Sequence, residues 1–98
     1  MMNKELYNEY TKGIALAMMV ITTSEEQDVR MEGAEIATLG LREMYDQIGE
    51  ENQDEAAEYI AATLVALAIM VQSEDDAQRT VIAAAIMSGL LELREKVF

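Results

Sequence analysis

The residues best suited to chemistry in this chain are carboxylates. Glu43-x-x-Asp46 and Glu55-x-x-Glu58 form two i, i+3 acidic pairs, a spacing that sets both members of a pair on one face of a helix. A tight turn between the pairs would bring them to one end of the molecule, and such oxygen donors suit Mg²⁺ or Mn²⁺. Glu43, Asp46, Glu55 and Glu58 are therefore the candidate metal ligands. The competing reading is structural: acids in a first helical turn complement the helix dipole, and a charged face is solvated. We take that second reading, in which the chain has no catalytic residue, no cofactor and no bound metal. The rest of the composition agrees with it. His is absent, and with it the commonest general base and nitrogen ligand. Cys is absent as well, which excludes disulfides and thiolate metal sites and fits a reducing compartment. No glycine-rich phosphate loop and no nucleophile–base pair can be found.

The two carboxylate pairs nevertheless resemble those of the helical nucleotide pyrophosphohydrolases of the MazG type, which hold Mg²⁺ with Glu-rich pairs on neighbouring helices. The resemblance implies Mg²⁺-dependent nucleotide hydrolysis as the alternative function. The gap between the pairs is shorter than in that family, and no Lys or Arg lies between Arg42 and Arg79 to hold phosphates. Arg30 and Arg79 are expected to form surface ion pairs with Glu26 and Asp75, four residues earlier; an anion site built from the two is the functional alternative. Tyr10 and Tyr59 are expected at the rim of the fold with their hydroxyls in water.

These residues have to be positioned by helices. Pro is absent, and Ala, Leu, Met, Glu and Gln dominate, so nothing interrupts long helical segments. Ser24-x-x-Gln27 has the form of a capping box, and Ser73-x-x-Asp76 and Asn52-x-x-Glu55 are close variants, with Asn3 a fourth candidate cap. The caps predict an all-α fold with helices near 3–22, 24–48, 52–71 and 73–97. Thr22-Thr23 and the region of Gln72 are too short for anything but antiparallel hairpins. Gly49, Glu50 and Glu51 join the hairpins. The second helix is expected to turn Val29, Gly33, Ile36, Gly40, Met44 and Ile48 inward. Gly40 and Gly89 lie inside predicted helices, where each costs about 1 kcal/mol relative to Ala, an expense that close helix crossing offsets. The eight Met residues read as pliable core filler.

The chain also resembles itself. A shift of 49 superposes Asn3 on Asn52, Glu9 on Glu58, Tyr10 on Tyr59, Ala17 on Ala66, Ser24-Glu25 on Ser73-Glu74, Arg30 on Arg79, Ala34 on Ala83, Gly40-Leu41 on Gly89-Leu90 and Glu43 on Glu92. These are 11 identities in 49 ungapped positions, where average usage gives roughly 3 to 4. We read one domain, 1–98, as two tandem helical hairpins, 1–49 and 50–98, in an antiparallel bundle. Ile60–Val71 is interrupted only by Thr63, and Val81–Leu91 only by Ser88 and Gly89. A helix apolar all round must be covered all round, so the bundle is expected to be completed by a second copy, as a homodimer through the third and fourth helices.

Charge narrows the function classes. With 19 acidic and 7 basic side chains the formal net charge is -12, which disfavours direct contact with nucleic acid or anionic lipid. The uncharged runs are shorter than the roughly 20 residues of a membrane span, and the start of the chain lacks the layout of a signal peptide, so a cytoplasmic protein is expected. From Glu43 to Asp76 there are ten acids and no base. Capping explains several of these, but not the absence of Lys and Arg. The linker corner, Glu50, Glu51, Asp54, Glu55 and Glu58, is thus the candidate partner-binding site for a basic protein surface. The class that fits is a non-enzymatic interaction or inhibitory protein, of the general kind by which phages and mobile elements block host defence or nucleic-acid-binding proteins. A helical oligomer that sequesters a small ligand is a further alternative.

Overall fold

Asn3 opens the first helix as expected, its Oδ1 accepting from the Leu6 amide at 2.8 Å. A computed structural model describes residues 2–98, which form α1 (Lys4–Thr23), α2 (Gln27–Gln47), a single 3₁₀ turn (Glu50–Asn52), α3 (Gln53–Gln72) and α4 (Asp76–Val97). No strand occurs among the described residues. Each helix packs on two neighbours: α1 lies beside α2 and α4, α3 beside α2 and α4, and α1 and α3 meet only marginally across the centre. The bundle measures 39 × 18 × 15 Å.

The other caps differ from the capping boxes read in the sequence. Ser24 and Ser73 do not cap α2 and α4. Their Oγ atoms accept from the amides of Glu26 and Asp75, two residues on, and so close the interhelical turns. The cap positions pass to Glu26, which makes no capping bond, and Asp75, whose Oδ1 accepts from the amides of Ala77 and Gln78. Asn52 precedes α3 without a side-chain capping bond, and its backbone N–H donates to the Gly49 carbonyl at 3.0 Å within the 3₁₀ turn.

Glycine governs the first helix pair. A Cβ on Gly33 would stand 2.8 Å from Ile21 Cγ1 and 3.0 Å from the Ala17 carbonyl oxygen, and one on Gly40 would stand 3.2 Å from Ile14 Cγ1. α2 therefore lies directly against α1, and the two are in closer contact than α3 and α4. Gly89 serves a different neighbour: the ring of Tyr59 lies over it.

The inner stripe of α2 is Arg30, Gly33, Ala37, Leu41 and Met44. Ile36, expected inside, is 62% exposed. Gly33, Met44 and Ile48 are buried as expected, while Arg30, Ala37 and Leu41 take the places expected for Val29, Ile36 and Gly40. Elsewhere the core holds Tyr7, Ile14, Met18 and Ile21 of α1, Leu67 and Met70 of α3, and Ile86, Leu90 and Leu93 of α4. Met18, Met44 and Met70 are core filler as expected, whereas Met19 and Met31 are exposed. On α3 and α4, Leu64, Val65, Ile69, Val81 and Leu91 also face outward. No described helix is long and apolar enough to cross a membrane.

Candidate functional site

The linker corner is assembled by the end of α2, the 3₁₀ turn and the start of α3. The turn is held by the Gln53 side chain, which donates to the Ile48 carbonyl at 3.3 Å, and by Ile48, which is buried. Met2 adds a strap through its amide, donating to the Gln47 carbonyl at 3.2 Å. On this support Glu50, Glu51, Asp54, Glu55 and Glu58 all stand exposed. None of them takes part in the three ion pairs found among the described residues, Lys12–Glu9, Arg30–Glu74 and Arg94–Glu95. The corner is thus an exposed carboxylate surface with no ion-pair partner among the described residues. Arg42 of α2 lines the adjoining α2–α3 seam, and on the other two helices Arg94 donates to Asn8 Oδ1 at 3.1 Å.

The two carboxylate pairs share this end but do not converge. Glu43, Asp46, Glu55 and Glu58 are each exposed, and no group of three or more Asp or Glu side chains among the described residues is placed to hold a metal ion. The seam between α2 and α3 is lined here by Thr38, Arg42, Tyr45, Ala57, Ile60, Ala61 and Leu64. Glu43 and Asp46 each follow a seam residue, Arg42 and Tyr45, by one position. One residue is about 100° of helix rotation, enough to turn both carboxylates away from α3.

The opposite end gathers the two interhelical turns, with Glu25, Glu26, Asp28, Glu74, Asp75 and Asp76 exposed on them. Beneath them lie Arg30 and Arg79, both with no exposed surface. This overturns the expected surface ion pairs with Glu26 and Asp75. Arg30 donates through Nε to the Val71 carbonyl at 3.0 Å, through one terminal nitrogen to the Ser24 carbonyl at 3.1 Å, and through the other to Glu74 at 3.1 Å. Arg79 donates to the Thr22 carbonyl at 3.4 and 3.2 Å and to the Ser73 carbonyl at 2.7 Å.

Each guanidinium therefore clasps its own hairpin turn and the last turn of the first helix in the other hairpin. That last turn presents carbonyls with no intrahelical partner and the negative end of the helix dipole, and neither α1 nor α3 has a base of its own there. With their donors directed at backbone carbonyls and, for Arg30, the Glu74 carboxylate, the arginines offer no open anion site. The last turn of α2 lacks a base as well, so that lack alone did not mark Arg30 and Arg79 in the sequence.

The tyrosines also turn inward. Tyr7 of α1 and Tyr59 of α3 each donate a 2.6 Å hydrogen bond to α4, at the Leu90 and Ile86 carbonyls. Burial pushes the Tyr59 hydroxyl up to about 12, opposed by the nearby Thr63 side chain, and burial raises Tyr7 further, reinforced by the neighbouring Tyr59. Tyr59 is thus not a solvated rim residue. Tyr10 accepts from the Gln47 side chain at 3.0 Å.

Two long grooves flank the bundle. The α2–α3 groove, about 410 Å³ in its larger part, is lined by Met31, Ala34, Glu35, Thr38, Leu39, Arg42, Leu64, Leu67 and Ala68. The α1–α4 groove is lined by Ala15, Met18, Met19, Thr22, Thr80, Ala83, Ala84 and Met87. The first carries two charged side chains and the second none. No protein-family profile, characterised protein or solved structure matches the chain.

Proposed function

We infer that this chain is a non-enzymatic, self-associating interaction protein whose acidic linker corner docks on a basic protein surface. The observation that carries the reading is the set of five exposed carboxylates, Glu50, Glu51, Asp54, Glu55 and Glu58, with no ion-pair partner among the described residues. A surface that otherwise holds nucleic acid has the complementary charge. An inhibitor of a host defence or nucleic-acid-binding protein, carried by a phage or mobile element in the cytoplasm, is the form of this function that the size and charge suit.

Self-association follows from the apolar side chains that one copy leaves uncovered, among them Val65 and Ile69 on α3 and Val81 and Leu91 on α4; a dimer through α3 and α4 would cover them. The same reading takes the fold as a duplicated hairpin. The arginine contacts support this: Arg30 and Arg79 are 49 apart, and so are their acceptors Ser24 and Ser73, and Val71 and Thr22. Burial supports it too, with Tyr7 matching Ala56, Ile14 matching Thr63, Ala37 matching Ile86 and Met44 matching Leu93. Electrostatic complementarity mainly accelerates association and makes it sensitive to salt. Capture of a partner from the cells of origin, at low and high salt, tests the docking. Recovery should fall at high salt and with Glu50, Glu51 and Asp54 all changed to Lys. A partner indifferent to both would leave the corner as a solvated helix start.

A further inference from the structure

The α2–α3 groove carries one acid and one base, Glu35 and Arg42, seven residues apart on the same helix. Seven residues is two turns, so both stand on one face. Neither joins an ion pair among the described residues. Between them Leu39 is 55% exposed, and across the groove Leu64 is 40% exposed. Three other grooves differ: those lined by Met19 and Met87, by Val65 and Ile69, and by Tyr59 and Ile86 include no charged side chain.

An acid and a base two turns apart on one helix are complementary to their own reverse. In a two-fold dimer a residue i that meets j requires j to meet i. Let two copies of α2 approach antiparallel about an axis passing between Thr38 and Leu39. Glu35 then faces the partner's Arg42, and Arg42 faces the partner's Glu35. The same reversal sets Glu32 opposite Tyr45, Glu43 opposite Ala34 and Asp46 opposite Met31, so none of these acids opposes another acid. A shift of one residue toward the C-terminus would set Glu35 against Glu43 and Glu32 against Asp46, repulsions that disfavour that register. Leu39 would lie at the centre and Leu64 beside it. The long face of the bundle, 39 by 18 Å, is on the scale of the about 800 Å² per subunit of a standard interface.

The geometry points to a second copy of this chain as the occupant of the α2–α3 groove, in a two-fold dimer registered by reciprocal Glu35–Arg42 ion pairs. The assignment rests on the self-association inferred above but replaces its α3–α4 seat, because the grooves between those helices carry no charged pair to fix a register. The two charges select the register, while the apolar groove supplies the buried area.

Sedimentation equilibrium at tens of micromolar tests this with four proteins: wild type, Glu35→Arg, Arg42→Glu and the double exchange. Both positions are lined on a groove rather than buried, and circular dichroism checks that each variant keeps its helix content. Wild type should be a dimer. Each single exchange replaces two attractive contacts by two repulsive ones and should weaken the dimer by about tenfold or more. The double exchange restores opposite charges and should return within about threefold of wild type. Single exchanges without effect, or a double exchange that does not rescue, would overturn the Glu35–Arg42 register. If Val65→Asp and Val81→Asp then abolish the dimer, self-association stands with its seat on α3 and α4. A monomeric wild type would overturn both readings.

Discussion

Replacing Arg79 by Ala removes a fully buried guanidinium and three hydrogen bonds, two to the Thr22 carbonyl and one of 2.7 Å to Ser73. Hydrogen bonds from a charged donor are worth about 1.5–3 kcal/mol, and a carbonyl left dry costs about 1–3 kcal/mol. These overlap, since both describe the same two acceptors. Thr22 is half-buried, so water would relieve part of the loss, while the vacated side-chain volume adds a cavity. The sum is a destabilisation of about 3–5 kcal/mol. Domains of this size have about 5–15 kcal/mol in total, so the variant should unfold at a much lower urea midpoint. Equilibrium urea denaturation followed by circular dichroism measures this. Arg79→Lys should recover only part of the loss, because one ammonium cannot span both carbonyls as the planar fork does. Glu74→Gln should change stability by less than about 1 kcal/mol, since that carboxylate is 77% exposed and its attraction to Arg30 is screened. If Arg79→Ala lies within 1 kcal/mol of wild type, the arginines do not hold the hairpins together and the reasoning fails.

Two further outcomes follow from the packing. Gly33→Ala should destabilise by about 1–3 kcal/mol, because its Cβ would meet the Ala17 backbone oxygen, which cannot move aside. Gly13→Ala, with nothing within 4 Å, should stabilise by up to about 1 kcal/mol; opposite signs in thermal melts check the pair. The tyrosines predict alkaline sensitivity. Tyr59 holds its proton to about 12 in the folded state against 10.0 for a free phenol, so its contribution is complete below pH 10 and is lost as pH rises toward 12. Tyr59→Phe should flatten that part of the stability–pH profile, and an unchanged slope in urea titrations between pH 10 and 12 would count against the buried hydrogen bond to Ile86.

Helix class, helix number and the short hairpin turns were readable in the residues themselves, because propensity, absence of Pro and 3.6-residue periodicity are local properties of the chain. The close approaches at Gly40 and Gly89 were legible for the same reason: a residue that weakens a helix has to be offset by something near, Ile14 of α1 at Gly40 and the Tyr59 ring at Gly89. Acids at both poles could also be placed, since an antiparallel bundle sends both turns to one end and the linker to the other.

What tertiary structure decided is which groups meet between segments. Periodicity alone put Val29 and Ile36 of α2 inside along with Gly33 and Met44; the last two are buried, but Arg30, held by the Val71 and Ser24 carbonyls, and Ala37 are the buried residues in place of the first two. The same chemistry converted Arg30 and Arg79 from surface partners of nearby acids into clasps between hairpins, because a helix end without its own base presents carbonyls that only a distant side chain can reach. A rotation of one residue per carboxylate kept Glu43 and Asp46 off the seam, so pairs with metal-like spacing did not become a cluster. Local sequence specifies where a side chain lies on its own helix, and the acceptors offered by the other helices determine what it does there.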